Sequence, residues 1–312
     1  MTGYSHIPVL PKETVEGLNI SPDGIYVDGT AGGGGHSALI AERLSGNGRL
    51  IAIDQDDEAV KAAGEKLKQY GDRVTIIRTN FRNLKNIMDD LGIREVNGII
   101  LDIGVSSHQL DDAGRGFSYM NEGPLDMRMD RSSSTDAADI VNESTESELY
   151  RIIRDYGEER YARQIAKAIT KKREDKRIET TLEFRKIIEE AVPAKARHAG
   201  GSPAMRTFQA LRIEVNHELD VLSDSLDVMI GLLAGGGRLA VISFHSLEDR
   251  IVKENFRKNE NPCICPPDFP VCVCGKKSWG RCVNRKAVTA GEEELKDNPR
   301  SHSAKLRIFE RI

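Results

Sequence analysis

The first residues that could do chemistry are two carboxylates and the glycine run between them. In Ile25-Tyr-Val-Asp-Gly-Thr-Ala-Gly-Gly-Gly-Gly-His36 an apolar segment ends at Asp28, and four consecutive glycines, Gly32 to Gly35, follow. Glycine tolerates positive φ and presents no side chain, so backbone N–H groups can close on a polar ligand at the start of the next helix. A carboxylate at the strand end repels a pyrophosphate and attracts an ammonium or sulfonium. Asp54 closes the segment Arg49-Leu-Ile-Ala-Ile-Asp54, nineteen positions after Gly35, where an acidic side chain grips ribose hydroxyls. Together Asp28 and Asp54 favour S-adenosylmethionine as cofactor. Two alternatives stay open. Gly33, Gly35 and Ala38 also satisfy G-x-G-x-x-G/A, the pattern of an NAD-dependent oxidoreductase, and a glycine-rich turn with Asp54 capping the next helix is the purely structural reading.

Asp102 ends the run Gly98-Ile-Ile-Leu-Asp102, a position bordering the expected cofactor, and could accept a hydrogen bond from an exocyclic amine. Gln109 lies in the adjoining loop. In Ser243-Phe-His-Ser-Leu-Glu-Asp-Arg250 a strand gives way to a helix, so Ser243 and His245 are further catalytic candidates; plain N-capping is the alternative. Phe81, beside Asn80, could stack on an adenine or fill the core beneath a helix. The irregular stretch from Gly114 to Asp130 offers Arg115, Phe117, Tyr119 and Arg128, side chains suited to a flipped base and its phosphate.

All five cysteines fall between Cys263 and Cys282, far in sequence from the glycines and from Asp102. Methylation of a cytosine ring carbon needs a thiolate that adds to the base, whereas methylation of an exocyclic nitrogen needs none, so this placement disfavours the covalent route. Cys263, Cys265, Cys272 and Cys274 are spaced Cys-x-Cys-x₆-Cys-x-Cys; tetrahedral zinc and free surface thiols are both open readings.

These groups need a scaffold, and the chain is long enough for one. Its 312 residues, 39% hydrophobic and 30% charged, are ordinary for a globular protein. No apolar run reaches the ~18 residues of a membrane helix and the first fifteen lack a signal-peptide pattern, so a cytoplasmic protein without a membrane partner is expected. From Gly24 to Val105 short Val/Ile/Leu strands (25–28, 49–53, 73–78, 97–103) alternate with helical segments, which specifies a doubly wound α/β domain with its ligand at the strands' carboxyl ends. Strand signal then lapses and resumes at Gly237 to Phe244; Ser303 to Glu310 reads as an edge strand. The expected division is therefore a discontinuous domain, 1–106 and 203–312, interrupted by a helical insertion at 107–202.

The net charge of −4 argues against indiscriminate nucleic-acid coating, yet residues 151–177 carry ten Lys or Arg against five Asp or Glu. On a helix predicted from Glu158 to Lys172, Arg160, Arg163, Lys167 and Lys171 share one face, which could track a phosphate backbone or be a solvated surface.

Six ordered blocks carry a more specific signal: Asp-Gly-Thr-Ala-Gly-Gly-Gly-Gly-His36, Leu-Asp-Ile-Gly-Val-Ser-Ser-His-Gln-Leu-Asp111, Arg-Gly-Phe-Ser-Tyr-Met with Gly-Pro-Leu-Asp-Met-Arg-Met-Asp130, Tyr-Gly-Glu-Glu-Arg160, Arg-Thr-Phe-Gln-Ala-Leu-Arg-Ile213 and Ile-Ser-Phe-His-Ser-Leu-Glu-Asp-Arg250. Along essentially the whole chain they resemble the RsmH (MraW) family of S-adenosylmethionine-dependent methyltransferases. The resemblance implies a Rossmann-like class I methyltransferase fold. It implies action on the N4 amine of a cytidine in the P-site decoding region of 16S rRNA, with the small ribosomal subunit as partner and a homodimer possible. It further implies cofactor contacts at Gly34, Gly35, His36, Asp54, Phe81, Asp102 and Gln109, and substrate recognition by the insertion. An rRNA-binding assembly factor with a vestigial cofactor site is the remaining rival. Many amino-methyltransferases carry an Asp/Ser-Pro-Pro-aromatic motif where this chain has Asp102-Ile-Gly-Val105, so their amine-holding geometry does not transfer.

Overall fold

The computed structural model describes residues 8–197, 202–266, 269 and 271–312. It contains a seven-stranded sheet of order β3-β2-β1-β4-β5-β7-β6, where β1 is Ile25–Asp28, β2 Arg49–Asp54, β3 Val74–Arg78, β4 Val96–Asp102, β5 Leu233–Ser243, β6 Gly280–Cys282 and β7 Lys305–Arg311. β1 to β5 are mutually parallel, and β7 runs antiparallel to β5.

The strand alternation explains the two-sided core. Val27, Ile51, Ile53, Ile99, Leu101, Leu239 and Val241 pack against Leu222, Leu226, Met229, Val252 and Phe256 on one side. Their neighbours Tyr26, Leu50, Ile100, Ala240 and Ile242 pack with Ile40, Ala41 and Leu44 on the other. A sheet buried on both faces needs near-continuous apolar strands, which is what the sequence supplies. The C-terminal strand differs from the expectation of an edge: the three-residue β6 pairs with β7 and takes the edge instead. β6, Gly-Arg-Cys, is too short to carry an alternation.

The chain divides into two compact units, residues 1–104 with 219–312, and residues 105–218. The expected boundary at 203 falls early, because the helix Pro203–Asn216 belongs to the second unit. Its Ala204, Phe208, Ala210 and Leu211 share a core with Leu149, Ile152, Ile165, Phe184 and Ile188. Phe208 and Phe184 stand 5.4 Å apart, and Arg206 Nη2 meets the fully buried carboxylate of Glu159 at 2.6 Å. The other helices of this unit are Ser107–Asp111, Ala137–Glu143, Glu146–Asp155, Ala162–Arg173 and Thr181–Ala191. Among the described residues no helix is long and apolar enough to cross a membrane.

Candidate functional site

The register of the parallel strands gathers the carboxylates. Asp28 lies level with Ala52 of β2 and with Ile100 of β4, so Asp54 and Asp102 each end their strands two residues beyond it. Asp28, Asp54 and Asp102 thus mark the carboxyl ends of three adjacent strands, where a doubly wound sheet binds its ligand. Between β1 and the helix Gly35–Ala41 the loop turns through left-handed backbone at Gly32 (φ 51°) and Gly34 (φ 76°). A Cβ on Gly34 would also stand 3.4 Å from Ala63 and Leu67, so the position is tight as well as left-handed.

The Asp28 and Asp54 carboxylates are held by hydrogen bonds, and Asp102 is tied to the loop through its backbone. Asp28 accepts from the Ser37 hydroxyl at 2.6 Å and from Thr30 N–H at 3.1 Å. Asp54 accepts from Gly32 N–H at 2.8 Å and from Asp56 N–H at 2.9 Å. The backbone N–H of Asp102 donates to Thr30 Oγ1 at 2.6 Å, while its side-chain Oδ1 is buried without a hydrogen-bond partner among the described residues. Burial dominates their titration. It lifts Asp28 to about 6 against the opposing bonds from Ser37 and Thr30, and Asp54 to about 6 against those from Asp56 and Gly32. Asp102 rises further, to about 8, through burial first and then the nearby charges of Asp28 and Glu248. A cation and a pair of hydroxyls brought to these strand ends would relieve both the desolvation and the orphaned oxygen.

His36 links the loop to Asp102. Its Nε2 lies 2.8 Å from the Val9 carbonyl, which makes that nitrogen the donor, and Nδ1 faces Asp102 Oδ2 at 3.5 Å. Either a neutral ring faces a protonated Asp102 or an imidazolium faces the carboxylate, so this contact holds a transferable proton beside the strand ends.

The remaining candidates separate into used and available groups. His245 caps the helix Ser246–Glu260: its ring accepts from Glu248 N–H, and Glu248 accepts in return from the N–H groups of Phe244 and His245 at 2.8 and 3.2 Å. This is a capping box. The buried Ser243 hydroxyl donates to the Lys305 carbonyl across the β5–β7 pairing at 3.4 Å. Phe81 is partly buried against the sheet core, next to Gly29. Gln109 is also in a capping box, its Oε1 accepting from Ser106 N–H at 3.0 Å.

In the second unit, Arg115, Phe117 and Arg128 depart from their expected roles as nucleic-acid contacts. Arg115 is 1% exposed and donates to the carbonyls of Arg128 and Met129 at 3.0 and 3.2 Å, tying its own loop together. Phe117 belongs to the helical core. Arg128 forks onto Asp126 at 2.8 and 2.9 Å and also donates to the Ser133 carbonyl. A loop without periodicity hides which of its side chains turn inward. Tyr119 is half-buried, edge-on to Phe208 at 6.0 Å.

The basic surface is better placed. The helix begins at Ala162 rather than Glu158, because Glu158 adopts φ 48°, and Arg160 precedes it. Arg160, Arg163, Lys167 and Lys171 are exposed. Arg154 and Arg163 both lie over the Tyr150 ring, 5.0 and 5.1 Å from its centre, and Arg160 lies over Tyr161 at 4.6 Å. Cationic groups and aromatic rings therefore alternate along this surface.

Sequence reasoning missed Thr30 and Ser37, whose hydroxyls hold Asp102 and Asp28. Both flank the glycines, and that proximity was the available signal.

A doubly wound sheet closed by an antiparallel strand, with acidic residues rather than lysines at its ligand-binding ends, is the architecture of an S-adenosylmethionine-dependent methyltransferase. The sequence profile of the MraW methylase family matches residues 3–312, and the chain belongs to that family. It is 60% identical over 309 residues to the ribosomal RNA small subunit methyltransferase H 2 of Agathobacter rectalis, covering 99% of this chain and 98% of that protein. It is likewise 60% identical over 309 residues to the ribosomal RNA small subunit methyltransferase H of Lachnospira eligens, with the same coverage. The protein of that name from Heliobacterium mobile is 53% identical over 310 residues, 99% of each chain.

Proposed function

We propose that this chain methylates the N4 amine of a cytidine in the P-site decoding region of 16S rRNA, using S-adenosylmethionine. The observation that carries the reading is the row Asp54, Asp28, Asp102 on three adjacent strand ends, raised in pKa by burial rather than neutralised by basic partners. Small-subunit rRNA as substrate is supported by relatives that carry that name at 53–60% identity.

The cofactor's sulfonium supplies an electrophilic methyl group. Asp54 would take the ribose hydroxyls with the lone pairs left beside its two backbone bonds, and Asp28 would stabilise the glycine loop through Ser37 and Thr30. Asp102 is assigned the target amine: as the carboxylate, the form that a bound sulfonium cation favours over the acid of the cofactor-free chain, its orphaned Oδ1 accepts one N4 hydrogen, orients the nitrogen for in-line attack, and receives the proton released when the carbon–nitrogen bond forms. His36 positions Asp102 from the Oδ2 side. His245, in its capping box, is a positioning residue for the segment after β5, and Ser243 is a strand contact. No thiolate step is needed, in keeping with cysteines confined to residues 263–282. The exposed Arg160, Arg163, Lys167 and Lys171, with Tyr150, form the surface assigned to rRNA phosphates and unstacked bases.

The test is transfer of a labelled methyl group from S-adenosylmethionine to small-subunit rRNA, as naked RNA and as the assembled subunit. Label on a cytidine N4 nitrogen in either form supports the reading. Binding of NADH in place of S-adenosylhomocysteine would return the oxidoreductase, and RNA binding without affinity for either cofactor would return the assembly factor.

A further inference from the structure

The cysteine loop is separate from the carboxylate site, and its geometry is that of a metal centre. The Sγ atoms of Cys263, Cys265, Cys272 and Cys274 all lie within 4.8 Å of one another. The individual separations are 3.4 Å for Cys263–Cys272, 3.9 Å for Cys265–Cys272, 3.5 Å for Cys272–Cys274 and 3.9 Å for Cys263–Cys274. A tetrahedron with zinc–sulfur bonds of about 2.3 Å has edges of about 3.8 Å. All five cysteines of the chain are free, and these separations are far beyond the ~2.05 Å of a disulfide.

Among the described residues of the loop, apolar packing does not account for the convergence. Cys263 and Cys272 are exposed, and Ile264, Val271 and Val273, interleaved with the sulfurs, are 71%, 70% and 72% exposed, so among the described residues no hydrophobic core draws the thiols together. Val273 N–H donates to Cys265 Sγ at 3.3 Å. The loop is anchored on both sides, by Trp279 N–H to the Asn259 carbonyl at 3.0 Å and by the pairing of β6 with β7. That fixed frame brings the two Cys-x-Cys arms face to face.

We infer that Cys263, Cys265, Cys272 and Cys274 bind one zinc ion in a closed tetrahedral site that supplies the folding energy of this otherwise coreless loop. Four protein ligands leave no open position, so the role is structural rather than catalytic.

The test is metal analysis of the full chain purified under reducing conditions from zinc-supplemented medium without chelator. We expect about one zinc per chain, falling at least tenfold in C263S/C272S, with S-adenosylhomocysteine affinity changed less than about twofold. Cobalt substitution gives a second reading independent of yield: the wild type should develop thiolate-to-cobalt charge-transfer and tetrahedral d–d bands that the double variant lacks. Zinc no higher in the wild type than in the double variant would overturn the inference. So would recovery of the four cysteines as disulfide pairs in metal-free protein, or octahedral cobalt spectra.

Discussion

The most quantitative consequence concerns Asp102→Asn and pH. In the folded chain Asp102 titrates at about 8, whereas an exposed aspartate titrates near 3.8. The native state therefore holds a proton that the unfolded chain has lost, and folding stability falls as pH rises through this interval. Asp28 and Asp54 behave alike but are half-titrated at about pH 6, and both remain in D102N, so the difference between wild type and variant from pH 6 to pH 8 isolates Asp102. Integrated over those two units at ~1.4 kcal/mol each, with half-protonation at the upper end, the loss is about 2 kcal/mol. For a unit of this size that corresponds to a fall in melting temperature of roughly 4–8 °C. Asn keeps the shape, and its amide can donate to His36 Nδ1 as the protonated acid does, but it does not titrate. Cofactor-free wild type and D102N, melted side by side from pH 6 to pH 8, should diverge by that amount, with the variant the more stable at the alkaline end. Turnover should be lost in the variant throughout. Parallel melting curves would refute the assignment of a buried, protonated Asp102.

Four further tests address other parts of the molecule. Asp54→Ala leaves the Gly32 and Asp56 N–H groups without their acceptor and removes the proposed ribose contact, so S-adenosylhomocysteine affinity by calorimetry should fall about 10- to 100-fold; an unchanged affinity contradicts the ribose role. Gly34→Ala places a side chain at φ 76° against Ala63, at a cost of about 1–2 kcal/mol, so its melting temperature and cofactor affinity should both drop; wild-type values for both would contradict the tight turn. Arg115→Met should cost about 2–3 kcal/mol of stability and leave the salt dependence of rRNA binding unaltered, because its guanidinium holds backbone carbonyls. Lys167→Ala with Lys171→Ala should do the reverse, melting as wild type and lowering the slope of log affinity against log salt by about 1.4; an unchanged slope would remove these lysines from the RNA surface.

Which parts of this were legible in the sequence follows from how far apart the interacting residues are. Asp28, Asp54 and Asp102 could be placed because each ends an apolar run, and a parallel doubly wound sheet brings such ends to one edge. The pairing of His36 with Asp102 joins two segments far apart in sequence and could not be read locally. Arg115, Phe117 and Arg128 looked available because their loop has no period, and only the fold buries the first two and engages Arg128 with Asp126. The helix Pro203–Asn216 was assigned to the wrong unit since its apolar stripe does not say which core it faces. His245 was recognised as belonging to a strand-to-helix junction, and the N-capping left there as the alternative is performed by its own ring. For the cysteines, Cys-x-Cys spacing left zinc and free thiols open; convergence of the sulfurs is a property of the folded loop.

The central claim is tested most directly by locating the transferred methyl group. Small-subunit rRNA incubated with the enzyme and isotopically labelled S-adenosylmethionine, digested to nucleosides and read by mass spectrometry, should carry the label on the N4 nitrogen of cytidine at a single decoding-region position. Asp102→Ala should abolish that label while retaining S-adenosylhomocysteine binding. Label on a ring carbon or a ribose hydroxyl, or wild-type labelling by Asp102→Ala, would contradict the account.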